Sequence, residues 1–312
     1  MPSSNKSERT VLITGCSDGS LGSHLALQFH AAGWRVFASA RNLAKLKDVE
    51  KVGIETVQLD TLSESSLRQC FTSVTDLTSG SLDALINNAG AGYSMPGSDM
   101  DIGRARELFE LNVWSLVAVT QAFLPLLLAS TCDQGALLVN HGSLSGVVAA
   151  SGPFAGAYNA SKAAVMSFTE TWRLELEPFD IRVIDLVTGA VRSNFHITAE
   201  PPELPVKSLY NVAKEAVESA MASHDDNEST DPEKWARGVV KELSKRSPPH
   251  WIWAGKFANI VRLASLLPLG VFDRIMERMC ALDVVERNLG TGKGRGRRSQ
   301  SSLMAGVADQ KI

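Results

Sequence analysis

Cysteine is scarce in this chain. Cys16, Cys70, Cys132 and Cys280 are scattered along 312 residues with no Cys-x-x-Cys pair. That spacing argues against a disulfide scaffold or a zinc site and fits a reducing compartment. A large net charge is also absent: the formal charge is -3, which supplies no global attraction for nucleic acid, so no nucleic-acid partner is expected. Met1 to Thr10 has no apolar core of a signal peptide, and a cytoplasmic location is the expectation. Long apolar runs are missing as well. The nearest approach to a membrane span is read at Ile260 to Phe272, broken by Arg262 and Pro268. Finally, no Asp or Glu occurs from Val36 to Lys47. What remains is ordinary for a globular chain: 44% hydrophobic and 21% charged residues, in a length that suits one large domain or two small ones.

Short apolar runs alternate with helical patterns as far as about Val187. The runs are Val11-Thr14, Trp34-Ala38, Glu55-Leu59, Ala84-Ile86, Ala136-Asn140 and Arg182-Val187. Helices are predicted at Leu21-Ala32, Leu43-Lys51, Ser63-Thr78, Arg104-Ala129 and Tyr158-Leu176, with Pro178 closing the last. Alternation of this kind predicts an α/β fold, a doubly wound parallel sheet with helices on both faces. The runs are nearly continuous in apolar residues, as strands buried on both sides require. Beyond His196 the pattern breaks at Pro201, Pro202 and Pro205. An insertion with a helix at Lys207-Met221 and a solvated acidic loop over 223–231 is predicted. Trp251-Ile252-Trp253 is read as the last strand, and Phe257 to Leu282 as amphipathic helix interrupted at Pro268.

The first strand runs into Thr14-Gly15-Cys16-Ser17-Asp18-Gly19-Ser20-Leu21-Gly22, followed by a helix. A glycine-rich turn in that position lets the backbone approach a pyrophosphate at a helix N-terminus. It reads as a dinucleotide loop, with Gly15, Ser17, Gly19, Leu21 and Gly22 as cofactor residues; the alternative is a ligand-free turn. The second strand ends at Arg41 with no acid for a ribose hydroxyl. Guanidinium instead suits a 2'-phosphate, so NADP(H) is favoured over NAD(H). Asp60 is read either as a contact for the adenine amino group or as a helix N-cap.

Tyr158 and Lys162 lie four residues apart in a predicted helix and share a face. A free phenol titrates near ~10. A nearby cation is expected to lower that value and make Tyr158 a usable general acid.

Together these residues resemble the short-chain dehydrogenase/reductase family over roughly residues 10 to 255. The match is carried by the glycine loop, Asn87-Asn88-Ala89-Gly90, Leu111-Asn112-Val113, Asn140-His141-Gly142-Ser143, Tyr158-x-x-x-Lys162 and Thr188-Gly189, in that order. The resemblance implies a single Rossmann-type sheet domain and a tetrad of Asn112, Ser143, Tyr158 and Lys162. In it Tyr158 gives a proton to the carbonyl oxygen, Ser143 holds that oxygen, and Lys162 lowers the Tyr158 pKa and binds the nicotinamide ribose. Asn112 would hold a water of the proton relay. Asn88, Ala89 and Gly90 would line the cofactor, and Val187 to Ser193, with Val191 and Ser193, would close over it. Three features depart from the family pattern. The glycine loop is one residue longer, Thr188 stands where proline is usual, and the serine-to-tyrosine interval is 15 residues. Ser145 would fit the shorter interval; Ser143 keeps the local motif. A narrower similarity, carried by Gly142-Ser143-Leu144-Ser145-Gly146-Val147-Val148, Pro153-Phe154 and Val271-Phe272-Asp273-Arg274-Ile275-Met276, points to the fungal NADPH-dependent 1-acyldihydroxyacetone-phosphate reductase branch.

The expectation is an NADPH-dependent ketoreductase for a bulky apolar or lipid-like ketone. The alternatives are oxidation of a secondary alcohol in secondary metabolism and a non-catalytic NADP-binding regulator. Tyr93, Met95, Phe154, Phe195 and a lid over about 190–232 are expected at the substrate; Arg192 and His196 are read as anion contacts or as solvated loop. The remaining divisions are a flexible N-terminus over 1–9, a helical extension over 256–289 and a disordered basic tail over 290–312. The 257–282 segment is read either as a helix packed on the domain or as a peripheral membrane contact, on endoplasmic reticulum or lipid droplet, reinforced by Lys293, Arg295, Arg297 and Arg298. Family resemblance implies a homo-oligomer through the helices at 104–129 and 158–176.

Overall fold

Val11, Leu12 and Ile13 are fully buried because helices cover both faces of the first strand. The computed structural model describes residues 8–195, 201–222 and 229–290. Seven strands form one sheet: β1 (Thr10–Ile13), β2 (Arg35–Ala40), β3 (Glu55–Gln58), β4 (Ala84–Asn87), β5 (Ala136–Asn140), β6 (Ile181–Thr188) and β7 (Trp251–Ala254). Their order is β3-β2-β1-β4-β5-β6-β7, and every pairing is parallel. The direction of winding reverses between β1 and β4. In this architecture ligands bind beyond the carboxyl ends of the strands at such a reversal.

The helices are α1 (Leu21–Ala31), α2 (Lys47–Glu50), α3 (Glu64–Thr78), α4 (Ile102–Phe109), α5 (Ser115–Leu128), α6 (Gly156–Leu176), α7 (Lys214–Ala222), α8 (Pro232–Leu243), α9 (Ala258–Ala264), α10 (Asp273–Met279) and α11 (Leu282–Leu289). Leu25 and Phe29 of α1 and Trp235, Val239 and Leu243 of α8 pack on one face of the sheet. Leu67 and Val74 of α3 and Val119, Phe123 and Leu127 of α5 pack on the other. The predicted doubly wound sheet is therefore the observed one.

Several elements differ from the sequence expectations. The predicted helix Leu43-Lys51 divides into a 3-10 turn, Leu43–Lys45, and α2. Asn42 caps the first by accepting from the Ala44 amide. The Asp18 carboxylate accepts from the Lys47 and Asp48 amides at 3.2 and 3.0 Å and opens a second helix start. Helix α8 was hidden beside the acidic stretch, although Asp231 caps it through the Lys234 amide and Pro232 fits its first turn. The continuous helix predicted at 104–129 contains a π turn, Glu110–Trp114. Among the described residues, the helix long and apolar enough to cross a membrane is this one, Ile102–Leu128, rather than 260–272. Its apolar character answers to the core, since half of the apolar window is buried. Ile102 and Trp114 on it, and Leu174 on α6, stand exposed where an oligomer contact is expected.

Arg9 is held by its guanidinium over the Trp34 ring, 3.9 Å from the centroid. The extension over 256–289 comprises three short helices; α9 packs through Val261 on the cluster of Val147, Met166 and Val187, and α11 also packs back. Val285 joins Phe154, Leu204, Val217 and Met221 in a cluster beside the sheet domain. His196, most of the acidic loop over 223–228 and the basic residues 293–298 lie outside the described residues. The four cysteines are free.

Candidate active site

Four loops meet at the carboxyl edge of the sheet. The first follows β1. Gly15 and Gly19 take φ of +73° and +76°, the left-handed region where a side chain is strained. Ser20 caps α1 through the Ser23 amide, and its hydroxyl donates to the Gly15 carbonyl at 3.0 Å. A Cβ on Gly22 would stand 2.5 Å from Asn88 Nδ2 and 2.6 Å from the Gly15 oxygen. The one-residue longer loop therefore still closes tightly onto the helix. Among the described residues, the Ser17 and Gly19 amides have no protein acceptor. Glycine-lined backbone, free amides and a helix N-terminus fit a pyrophosphate, so the residues present fit a dinucleotide cofactor. Leu21 is partly exposed on the first turn of α1.

Asn88 holds this loop through its side chain. Its Nδ2 donates to the carbonyls of Thr14 and Gly15 at 2.7 and 3.0 Å. Its Oδ1 meets His141 Nδ1 at 2.8 Å. The Ala89 amide donates to Thr14 Oγ1. A Cβ on Gly90 would stand 3.1 Å from Asn112 Oδ1 and 3.8 Å from Lys162 Nζ.

Arg41 is exposed at the end of β2, and its guanidinium has no partner among the described residues. Asp60 forms a local turn, accepting from the Leu62 amide at 3.1 Å. The N-cap of α3 is Ser63, not Asp60, because Ser63 Oγ takes the Ser66 amide. Thr188 explains itself: its hydroxyl lies 2.7 Å from His141 Nε2, a bond a proline there has no group to make. His141 also stacks on Trp235. Burial pushes this imidazole down to about 3, so it is neutral at physiological pH. Sequence reasoning missed this bridge between two loops; the Thr188 departure was its only signal.

Asn112 sits in the π turn, a local widening common at functional sites. Its amide exchanges two hydrogen bonds with the Ala91 backbone at 2.9 Å each and donates to Ser161 Oγ at 3.0 Å. Ser161 in turn donates to the Tyr158 carbonyl. Lys162 is 7% exposed, and its Nζ donates to the His141 carbonyl at 2.8 Å. Burial pushes its ammonium down to about 8, with Asp185 opposing.

Ser143 is the side chain that acts on the Tyr158 hydroxyl, favouring its phenolate. Ser145 contributes only its amide, donating to Ser143 Oγ at 3.1 Å. The geometry thus brings Ser143, not Ser145, to the tyrosine. One electrostatic expectation is corrected. Burial sets the phenol above its ordinary value, and Ser143, rather than the charge of Lys162, pulls it back. Desolvation penalises the phenolate more than these neighbours favour it.

The segment after β6 folds back over the site. Asn194 bonds to the Gly19 and Asp18 carbonyls. Val191 pairs with Thr230, and Ser193 Oγ accepts from the Phe195 amide. Phe195 lies 5.9 Å from the Tyr158 ring, and a Cβ on Gly92 would meet it at 3.0 Å. Phe154 packs edge-on against Tyr210 of the insertion. Its carbonyl accepts from the Met95 amide. The hydroxyl of Tyr93 is engaged with the Asp101 amide, and Arg192 is paired with Asp231.

The model of the family described as short chain dehydrogenase matches residues 9–204. Short-chain dehydrogenase/reductase GME11361 of Pestalotiopsis microspora is 44% identical over 286 residues, covering 90% of this chain and 97% of that protein. The NADPH-dependent 1-acyldihydroxyacetone phosphate reductase of Schizosaccharomyces pombe is 34% identical over 282 residues, covering 86% and 93%. A solved short-chain dehydrogenase from Streptomyces avermitilis superposes with a TM-score of 0.71 at 24% identity, covering 90% of this chain and 98% of that one.

Proposed function

The chain belongs to the short-chain dehydrogenase family, and from that membership we propose that it is an NADPH-dependent ketoreductase for a bulky apolar or lipid-like ketone. As a family member it is an oxidoreductase acting on alcohol and ketone groups. The observation that carries the finer reading is Ser143 acting on the Tyr158 hydroxyl, with Lys162 buried one helical turn along α6 from Tyr158.

NADPH, when bound, supplies a hydride to the carbonyl carbon. Ser143 Oγ donates a hydrogen bond to the carbonyl oxygen and holds it. Tyr158 transfers its phenolic proton to the same oxygen, completing the alcohol. The raised phenol supports this direction, because it keeps the proton in place until the oxygen becomes basic. Lys162 supplies positive charge next to the developing phenolate. Asn112 fixes the helix turn beneath Tyr158 through Ser161. The apolar character of Phe154, Phe195 and Tyr210 supports a bulky apolar substrate and the exclusion of water. The fungal relative acting on 1-acyldihydroxyacetone phosphate supports a lipid ketone.

The test is consumption of NADPH against an acyl dihydroxyacetone phosphate, a steroid ketone and a polycyclic aromatic or terpenoid ketone, with NADH in parallel. Turnover of any ketone with NADPH supports the reading. Alcohol oxidation alone, with no ketone reduced, would reverse the assigned direction. The Arg41 guanidinium stands ready for a 2'-phosphate. Arg41→Asp should therefore raise the KM for NADPH by roughly ten- to a hundredfold, the worth of one charge-assisted contact, and leave NADH unaffected or improved. An unchanged NADPH KM would remove Arg41 from the site.

We also propose that the extension meets an anionic lipid surface. Leu263, Leu266, Leu269, Val271, Ile275 and Met279 are each more than half exposed, with Arg262, Arg274 and Arg278 among them. A cleft of about 310 Å³ separates this ridge from the Val148–Pro153 loop. Apolar side chains interleaved with cations suit the boundary between acyl chains and anionic headgroups. The protein should co-sediment with phosphatidylserine-containing vesicles. Leu263→Glu with Leu266→Glu should abolish this while changing turnover of a water-soluble ketone by no more than about twofold. Wild-type protein that stays in the supernatant would refute the assignment.

A further inference from the structure

Asp185 is a carboxyl group in the interior of the sheet, 0% exposed. Neither of its oxygens has a hydrogen-bond partner among the described residues. A buried polar group in that condition is costly, and a buried charge more so. Its position is fixed by strand register. Asn87, Asn140 and Asp185 stand opposite one another on β4, β5 and β6, so they form a polar row across three strands. Asn87 Nδ2 bonds to Asn140 and Thr120, and Asn140 Nδ2 to Thr169 of α6. Asp185 ends the row without such a bond. It is seated against the residue before Ser143, since a Cβ on Gly142 would stand 2.1 Å from its Oδ1.

The charged and titratable groups around Asp185 come from each neighbouring element. From α6 come Lys162, which favours the carboxylate, and Glu170, which opposes it; Glu170 is itself paired with Arg173. From the strand ends come neutral His141 after β5 and His250 before β7, whose carbonyl takes the Asp185 amide. Lys162 Nζ donates to the His141 carbonyl at 2.8 Å, and Asp185 Oδ1 is seated against the next residue, Gly142, so the two groups converge on adjacent residues of the loop after β5; each accordingly favours the charged form of the other.

We propose that Asp185 is the buried counter-charge of Lys162, a positioning residue that keeps the Lys162 ammonium protonated beside Tyr158. This rests on the ketoreductase reading of the site. Removing the carboxylate leaves Lys162 alone in a low-dielectric interior. The ammonium then gives up its proton at lower pH, and the positive charge beside the tyrosine is lost earlier as pH rises. Burial already pushes Asp185 up to about 7 and Lys162 down to about 8, so the pair titrates where the effect is measurable.

The experiment compares the full-length wild type with Asp185→Asn and, as a smaller uncharged replacement, Asp185→Ser. For each, kcat/KM for ketone reduction and, without ketone, the affinity for NADPH are followed across pH. The alkaline limb of both profiles should move down by about one to two pH units, the shift expected on losing a nearby opposite charge. An activity reduced equally at all pH values, with the inflection unmoved, would assign Asp185 a structural role only and overturn the proposal. Lys162→Met supplies the reciprocal reading without touching position 185. Deprived of its cation, the carboxylate resists ionisation further, so thermal stability should fall more steeply than in wild type as pH rises through 7. Parallel stability curves would also overturn the proposal. The NADPH and stability readouts need no ketone. A failure of the ketoreductase reading, seen as turnover surviving Tyr158→Phe, is therefore distinguishable from a failure of the Asp185–Lys162 pair.

Discussion

Tyr158→Phe should lower kcat/KM by about a thousandfold, the middle of the range for loss of a general acid, while NADPH affinity stays within about threefold of wild type. The substitution removes one oxygen and keeps the ring. The ring's contact with Phe195 is apolar and survives. Only the hydroxyl meets Ser143, so the loss falls on proton delivery and on the orientation of Ser143. Retained turnover with bound cofactor would sink the mechanism. A chain that reduced no ketone and was indifferent to this substitution would answer to the non-catalytic alternative. The measurement is steady-state kinetics beside fluorescence titration of NADPH.

Gly22→Ala should weaken NADPH binding by roughly a hundredfold, the upper end of what local overpacking of about 1–3 kcal/mol permits. The added carbon would meet Asn88 Nδ2 at 2.5 Å and the Gly15 carbonyl oxygen at 2.6 Å. The first neighbour is a side chain, but it is not free to swing away. It is bonded to Thr14 and Gly15 on one side and to His141 on the other. The second is backbone at a left-handed glycine. The loop must therefore move away from α1 and carry the Ser17 and Gly19 amides with it. Calorimetric titration with NADPH checks the affinity, and a melting curve separates a displaced loop from an unfolded protein. Unchanged affinity would show that this loop does not hold the pyrophosphate.

Much of the fold was legible because the strands are short, apolar and regularly separated. Ala136–Asn140 is bounded as predicted, and the other strands shift by one or two residues at their ends. Helix α8 was not legible, because the acidic run before it looked like continuous loop. Its stripe of Trp235, Ala236, Val239, Val240 and Leu243 is nevertheless helical in period and buried against α1 and β7. The division of Leu43-Lys51 was hidden for another reason. The carboxylate that opens α2 comes from Asp18, nearly thirty residues earlier, and no local window contains it.

By itself the sequence determined the winding of the sheet, the tight turn at Gly15–Gly22 and the placing of Tyr158 and Lys162 on one helix face. Each of these depends on residues close in the chain: apolar period, glycine without a Cβ, four-residue spacing. Tertiary structure alone decided which serine meets Tyr158, that Lys162 Nζ turns to the His141 carbonyl, and that His141 bridges Asn88 to Thr188. It also decided that burial outweighs the neighbouring charge at the phenol and that Asp185 lies beneath the site. Those outcomes depend on strand register and on desolvation. Both are set by residues far apart in sequence, and neither exists until the sheet has formed.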